Sequence, residues 1–162
     1  MNEQHPASGA DDHPRTAVKP PLLYAGAALA AWAAEAWLLR LPLGTEGIGP
    51  WVGAVLMAGG VGLALHCVLR FRRAGTNVQT WRPSVVLVRE GPYRFSRNPI
   101  YIGLTGVYAG LALAADSLWM LILLPAVLAV LHRGVVLREE AYLEARFGDD
   151  YRAYKARTRR WL

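Results

Sequence analysis

The side chains of this 162-residue chain that could do chemistry gather in two places. One is the run Gly91-Pro92-Tyr93-Arg94-Phe95-Ser96-Arg97-Asn98-Pro99-Ile100-Tyr101-Ile102-Gly103, the other the acidic pair Glu139-Glu140. Gly91-Pro92 breaks the course of the backbone, since glycine tolerates dihedrals that other residues avoid and proline restricts its predecessor. Pro99 suits a first helical turn, where its missing N–H would have had no partner, and Asn98 is placed to cap the orphan N–H groups. The stretch therefore predicts a helix start at Asn98-Pro99. Asn98, Tyr101 and Ile102 share a face of it, and Gly103 leaves room for a ligand or a neighbouring helix. A helix start carries partial positive charge and free N–H groups, which suits a carboxylate. The same residues also suit an interfacial anchor, because Tyr and Arg collect at membrane boundaries. Glu139 and Glu140 point about 100° apart on a helix, so one can face a pocket while the other meets solvent or Arg138.

The elements that must position these residues are mostly apolar. Hydrophobic residues make up 54% of the chain and charged ones 19%, with a mean hydropathy of +0.20, and the apolar residues are bunched rather than periodic. Four runs, 22–39, 51–69, 100–115 and 117–131, are candidates to cross a hydrocarbon core of roughly 30 Å, the last two on the short side. Residues 1–21 are polar and proline-bearing and predict a disordered tail in which His5 and His13 are solvated. The tail lacks the basic-then-apolar layout of a cleaved signal, so the first run is expected to stay in the mature protein. The link 40–50 is rich in Pro and Gly and predicts a short loop. Gly53, Gly59, Gly60 and Gly62 in the second run, and Gly103, Gly106 and Gly110 in the third, predict close helix packing in lipid. Asp116 alone separates the third and fourth runs, which predicts a tight hairpin, and Pro125 predicts a kink. Residues 132–162 read as a helix with a break near Gly148.

Charge sets the expected orientation. Of 18 Lys and Arg residues, seven (Arg70, Arg72, Arg73, Arg82, Arg89, Arg94 and Arg97) lie in the connection 70–98 and eight lie from residue 133 onward. Four spans with both termini and the 70–98 loop in the cytoplasm satisfy the positive-inside rule, which explains this basic loop better than nucleic-acid binding does. The run Val85-Val86-Leu87-Val88 within the loop is too short to span and is expected to pack against the bundle or a ligand. The expected fold is an all-α integral membrane protein of four transmembrane helices, in which the cytosolic loop 70–98 and the helix 132–162 form the functional site. A single cysteine, Cys67, excludes an intrachain disulfide and paired-thiolate metal binding. His66 reads as a hydrogen-bonded boundary histidine.

The ordered set Gly75-Thr76-Asn77, Leu87-Val88, Gly91-Pro92-Tyr93, Arg97-Asn98-Pro99-Ile100-Tyr101-Ile102-Gly103, Glu139-Glu140 and Phe147-Gly148-Asp149-Asp150-Tyr151 with Tyr154 resembles the integral-membrane isoprenylcysteine carboxyl methyltransferases and the related phospholipid methyltransferases. The resemblance covers roughly residues 70–162. It implies that S-adenosylmethionine is bound at the cytosolic face by Leu87, Val88, Tyr93, Asn98, Pro99, Ile100, Tyr101 and Glu139, with Gly103 and Glu140 as neighbours. Two positions depart from the pattern. The usual His is Asn98, which keeps a hydrogen-bonding side chain but no acid–base role. The Arg that holds a prenylcysteine acceptor is Val135, with Arg133 two residues away as a substitute.

On this resemblance the chain is expected to be a methyltransferase acting on a lipophilic or small acceptor, with Tyr101 and Arg133 at the reacting centre and no metal. Membrane lipids are its expected surroundings, and the glycine-lined helices leave a homo-oligomer open. Two readings from other classes are a small four-span transporter coupled through Glu35, the charge near the far end of the first run, and a membrane scaffold without catalysis.

Overall fold

The computed structural model describes residues 16–75 and 86–162. The expectation of a disordered tail therefore falls largely outside the described residues, as do Thr76, Asn77, Arg82 and Val85. All regular structure among the described residues is helical. Helix α1 spans Pro20–Trp37, α2 Gly49–Arg73, α3 Pro99–Ala114, α4 Leu118–Leu131, α5 Leu137–Phe147 and α6 Asp149–Arg157, with a short 3-10 turn at Gly91–Arg94. Prolines stand in the first turns of α1, α2 and α3, where a missing N–H costs nothing. Arg70, Arg72 and Arg73 close α2, where cations oppose the negative helix end.

Helix α4 does not stop where its apolar run ends. A wide π-type turn, His132–Val136, carries it into α5, and the continuous helix runs to Phe147. Nothing in 132–147 removes a backbone donor, so the chain turns only at Gly148, whose φ of +51° glycine adopts cheaply. Two helices, Gly49–Arg73 and the continuous Leu118–Phe147, are long and apolar enough to cross a membrane, and α3 is apolar but shorter.

Helices α2 and α3 pack antiparallel through glycines seven residues apart on each. Gly53 faces Gly110 and Gly60 faces Gly103, so closely that a β-carbon at Gly103 would lie 2.6 Å from the Gly60 carbonyl oxygen, and one at Gly110 2.6 Å from that of Gly53. The expected glycine seam is therefore real but narrower than the sequence suggests. Gly59 and Gly62 point into open space, because they lie on faces of α2 turned away from α3. Helix α1 runs along α4 and α3. The buried cluster between them is Tyr24, Ala31, Tyr101, Tyr108, Ala112, Met120, Val127, Leu131, Val135 and Val136. Tyr24 supplies a polar tie, its hydroxyl 2.7 Å from Thr105 Oγ1. Many other apolar side chains, such as Leu29, Trp32, Val55 and Leu65, face outward.

The hairpin between α3 and α4 is as tight as expected. Asp116 adopts a φ of +51°, which Asp tolerates better than most residues. Its carboxylate accepts hydrogen bonds from the backbone N–H and the hydroxyl of Thr45, at 2.9 and 3.0 Å. Those bonds hold the carboxyl below its usual range and tie the 38–48 link to this end of the bundle. The opposite end gathers the start of α1, the end of α2, the 86–98 segment, the start of α3 and helices α5 and α6. It is there that the two chemistry-bearing stretches meet.

Candidate functional site

The approach to the site is shaped by Gly91, whose φ of +62° suits glycine. A β-carbon there would come 3.3 Å from Arg70 Nε and 3.4 Å from His66 Nε2, so the missing side chain lets the end of α2 close on the loop. Arg70 pairs with Glu90 at 3.3 Å. Arg70, Arg89, Glu90, Gly91, Arg94 and Phe95 line an open cleft of about 570 Å³. Tyr93 turns inward, edge-on to Phe71 with ring centres 5.4 Å apart. Burial drives its hydroxyl well above the usual tyrosine range, and the neighbouring Cys67 and Glu139 add to the effect. Leu87 and Val88 are half-buried.

The helix start forms at Asn98-Pro99 as the sequence predicts, but Asn98 does not cap it. The N–H groups of Tyr101 and Ile102 reach the Asn98 main-chain carbonyl at 3.1 and 3.2 Å. Its side chain points elsewhere, donating from Nδ2 to the Arg160 carbonyl at 2.9 Å. The Asn98 side chain is buried, and its amide is oriented by the main chain of 158–162 rather than by the first turn of its own helix. Ser96 and Arg97 join that contact: Ser96 Oγ donates to the Arg160 carbonyl at 3.3 Å and Arg97 N to the Arg159 carbonyl at 2.9 Å. Tyr154 adds a bond from its hydroxyl to the Tyr93 carbonyl, 2.7 Å long.

The two glutamates divide as their helical spacing requires, though not into pocket and solvent. Tyr101 Oη donates to Glu139 Oε1 at 2.7 Å, joining the first turn of α3 to α5. Glu139 lies two turns beyond the apolar run 118–131, in the charged part of the helix. Burial pushes its carboxyl up to about 7, the Tyr101 hydrogen bond opposing and the Glu140 charge adding. Glu140 is buried rather than solvated, and it pairs with arginines remote in sequence. Arg160 donates to it from Nε and Nη2 at 2.9 Å each. Arg97 Nη1 lies 3.1 Å away as an ion pair outside hydrogen-bond geometry. Adjacent carboxylates therefore have separate partners: a phenol for Glu139 and two guanidinium groups for Glu140.

The structure brings Tyr93, Asn98, Pro99, Tyr101, Glu139 and Glu140 to one end of the bundle. Ile100 packs against the core. Gly103 faces Gly60, so of the two uses its missing side chain allowed, helix packing is the one realised. Arg133 is exposed on the π-type turn, while Val135 is fully buried in the core. Of the residues that make these contacts, Arg160 was not singled out by the sequence, and the long-range partners of Ser96, Arg97 and Tyr154 were not foreseen. These partners lie between 20 and 64 residues away and carry no local spacing signal.

No solved structure matches the chain. An uncharacterized protein of Haemophilus influenzae (strain ATCC 51907 / DSM 11121 / KW20 / Rd) is 54% identical over 33 residues, 20% of this chain and 52% of that protein. The chain thus spans about half the length of the curated relative it matches. A family model described as phospholipid methyltransferase matches residues 48–150, which run from the start of α2 through the glycine seam, the loop and the acidic pair to the break at Gly148. The chain belongs to the phospholipid methyltransferase family.

Proposed function

We propose that the protein is a membrane-embedded methyltransferase that uses S-adenosylmethionine and acts on a lipophilic or small acceptor. The observation that carries this reading is the Tyr101–Glu139 contact at 2.7 Å, which sets a carboxylate against the first turn of α3. The donor is a zwitterion with an added sulfonium, and the residues present fit such a group. Arg97 and Arg160 are engaged by Glu140, which leaves Glu139, once ionised, as a carboxylate suited to an ammonium. Arg70, Arg89 and Arg94 line a cleft suited to a carboxylate.

When bound, the donor supplies a methyl group already activated by a positively charged sulfur. The protein's task is then alignment and exclusion of water. Glu139 would hold the ammonium, Tyr101 would fix the rotamer of Glu139, and the buried Tyr93 would close the inner wall. Exposed Arg133 would stand at the water boundary, where an acceptor carboxylate or headgroup arrives.

The same reading takes α1 to α4 as four spans, with the described residues of both termini and of the 70–98 loop on the cytoplasmic side. Helices α1 to α4 run alternately up and down, and the basic residues gather at the end that carries Tyr101 and Glu139. An apolar acceptor then enters sideways between the helices while the charged donor enters from water.

Calorimetry of the purified protein with S-adenosylhomocysteine tests the proposal. Saturable binding that is lost in Glu139→Ala and Tyr101→Ala is expected, with Glu35→Gln unaffected. A folded wild-type protein that takes up no ligand would refute it. Radiolabelled methyl donor with extracted lipids, amines, carboxylates and thiols would then identify the acceptor class.

A further inference from the structure

Segment 158–162 folds back over the start of α3 instead of trailing from α6. Thr158 leaves the helix with extended backbone, Ser96 and Arg159 form an isolated bridge, and Trp161 packs against the bundle core with its ring 6.3 Å from that of His132. Arg160, between the bridge and the ring, touches both halves of the site through different atoms. Its carbonyl accepts from Asn98 Nδ2 at 2.9 Å and from Ser96 Oγ at 3.3 Å, one turn before Tyr101. Its guanidinium grips Glu140 with two bonds of 2.9 Å, one residue from Glu139. Beside this bracket, the two halves also meet through the Tyr101–Glu139 bond and the Arg97–Glu140 ion pair.

A planar guanidinium held bidentate by a buried carboxylate has little freedom, and the carbonyl of the same residue is held separately by Asn98 and Ser96, so Arg160 is fixed at both ends. Moving Glu140 would move the acceptor of Asn98, and shifting the helix start would strain the grip on Glu140. We infer that Arg160 is a positioning residue for ligand binding: it contacts no ligand itself, and it holds the Asn98–Pro99 helix start and the Glu139–Glu140 turn in register, so that Tyr101 and Glu139 present one preformed site. The inference deepens the methyltransferase reading and rests on it for the ligand.

The test uses the full chain in detergent or nanodiscs, with S-adenosylhomocysteine as the probe. Arg160→Ala is expected to weaken binding at least tenfold at a temperature well below its melting transition. Arg160→Lys, which keeps the charge and the main-chain carbonyl but not the fork, should regain at least a third of the wild-type affinity. Arg157→Ala, on the exposed face of α6, should bind as wild type. A folded Arg160→Ala or Arg160→Gln protein with affinity within twofold of wild type overturns the inference, as does a loss that Arg160→Lys fails to reduce. Hydrogen–deuterium exchange at 96–103 separates the two levels of the argument. If the wild type binds no probe, the methyltransferase reading fails, and the positioning role is then decided by whether exchange there quickens in Arg160→Ala but not in Arg160→Lys. Unchanged exchange in Arg160→Ala overturns it.

Discussion

Tyr101 in the first turn of α3 donates a 2.7 Å hydrogen bond to Glu139 in α5, across 38 residues of sequence. The contact joins the two stretches in which the chain's chemistry is concentrated. Removing the hydroxyl alone should leave the packing intact, because Phe fills nearly the same volume. A hydrogen bond to a charged group contributes about 1.5–3 kcal/mol, so Tyr101→Phe is expected to weaken S-adenosylhomocysteine binding by roughly ten- to a hundredfold. Glu139→Gln, which removes the charge, should cost at least as much. Titration calorimetry on both variants checks this, and wild-type affinity in either one would remove that side chain from the site.

The carboxyl of Glu139, raised by burial to about 7, makes binding and stability depend on pH in opposite senses. A cationic ligand group needs the ionised form, so affinity should rise as pH increases through about 7 and level off above it. For folding the sign reverses. The native state keeps its proton at pH values where the unfolded chain has lost it, so stability should fall as pH rises from the usual glutamate range toward 7. Glu139→Gln should flatten both profiles. Calorimetry and thermal melting between pH 5 and 8.5 measure them, and a wild-type affinity that falls across this window would contradict the assignment.

Glu140 stabilises the site end by compensating buried cations. Glu140→Ala leaves the Arg97 side chain, only 9% exposed, without its carboxylate, and should destabilise the fold by about 3–5 kcal/mol. Replacing both residues by apolar ones of similar size, Arg97→Met with Glu140→Leu, should recover much of that loss. Urea or thermal unfolding in a fixed detergent is the measurement. A double variant no more stable than the single one would argue against an ion-pair cause.

The glycine seam predicts a contrast between neighbours on α2. Gly60→Ala drives a β-carbon into the Gly103 carbonyl, where backbone has to move, and should cost about 1–3 kcal/mol. Gly59→Ala meets nothing within 4 Å and should stabilise the helix by about 0.5–1 kcal/mol. Melting temperatures of the two variants should therefore move in opposite directions. Movement in the same direction would place the seam elsewhere.

The all-helical character, the helix start at Asn98-Pro99, the tight turn at Asp116 and the break at Gly148 were all legible in the sequence. Each rests on a local cause: bunched apolar residues, a proline without a donor, a one-residue gap between apolar runs, and a glycine free to adopt positive φ. Family-level chemistry was legible for a related reason, since the spacing of a motif along one helix start survives without the rest of the fold. The tertiary structure alone decided which partners these groups have. Asn98 was expected to cap its own helix and is claimed instead by the Arg160 carbonyl, while one carboxylate of the acidic pair was expected to meet solvent or Arg138 and Glu140 is buried beside Arg97 and Arg160. Of the glycines in α2, packing chose Gly53 and Gly60 and left Gly59 and Gly62 facing outward. Helical periodicity states which residues share a face, but the choice of which face is buried, and against what, depends on contacts between segments whose separation in sequence carries no pattern.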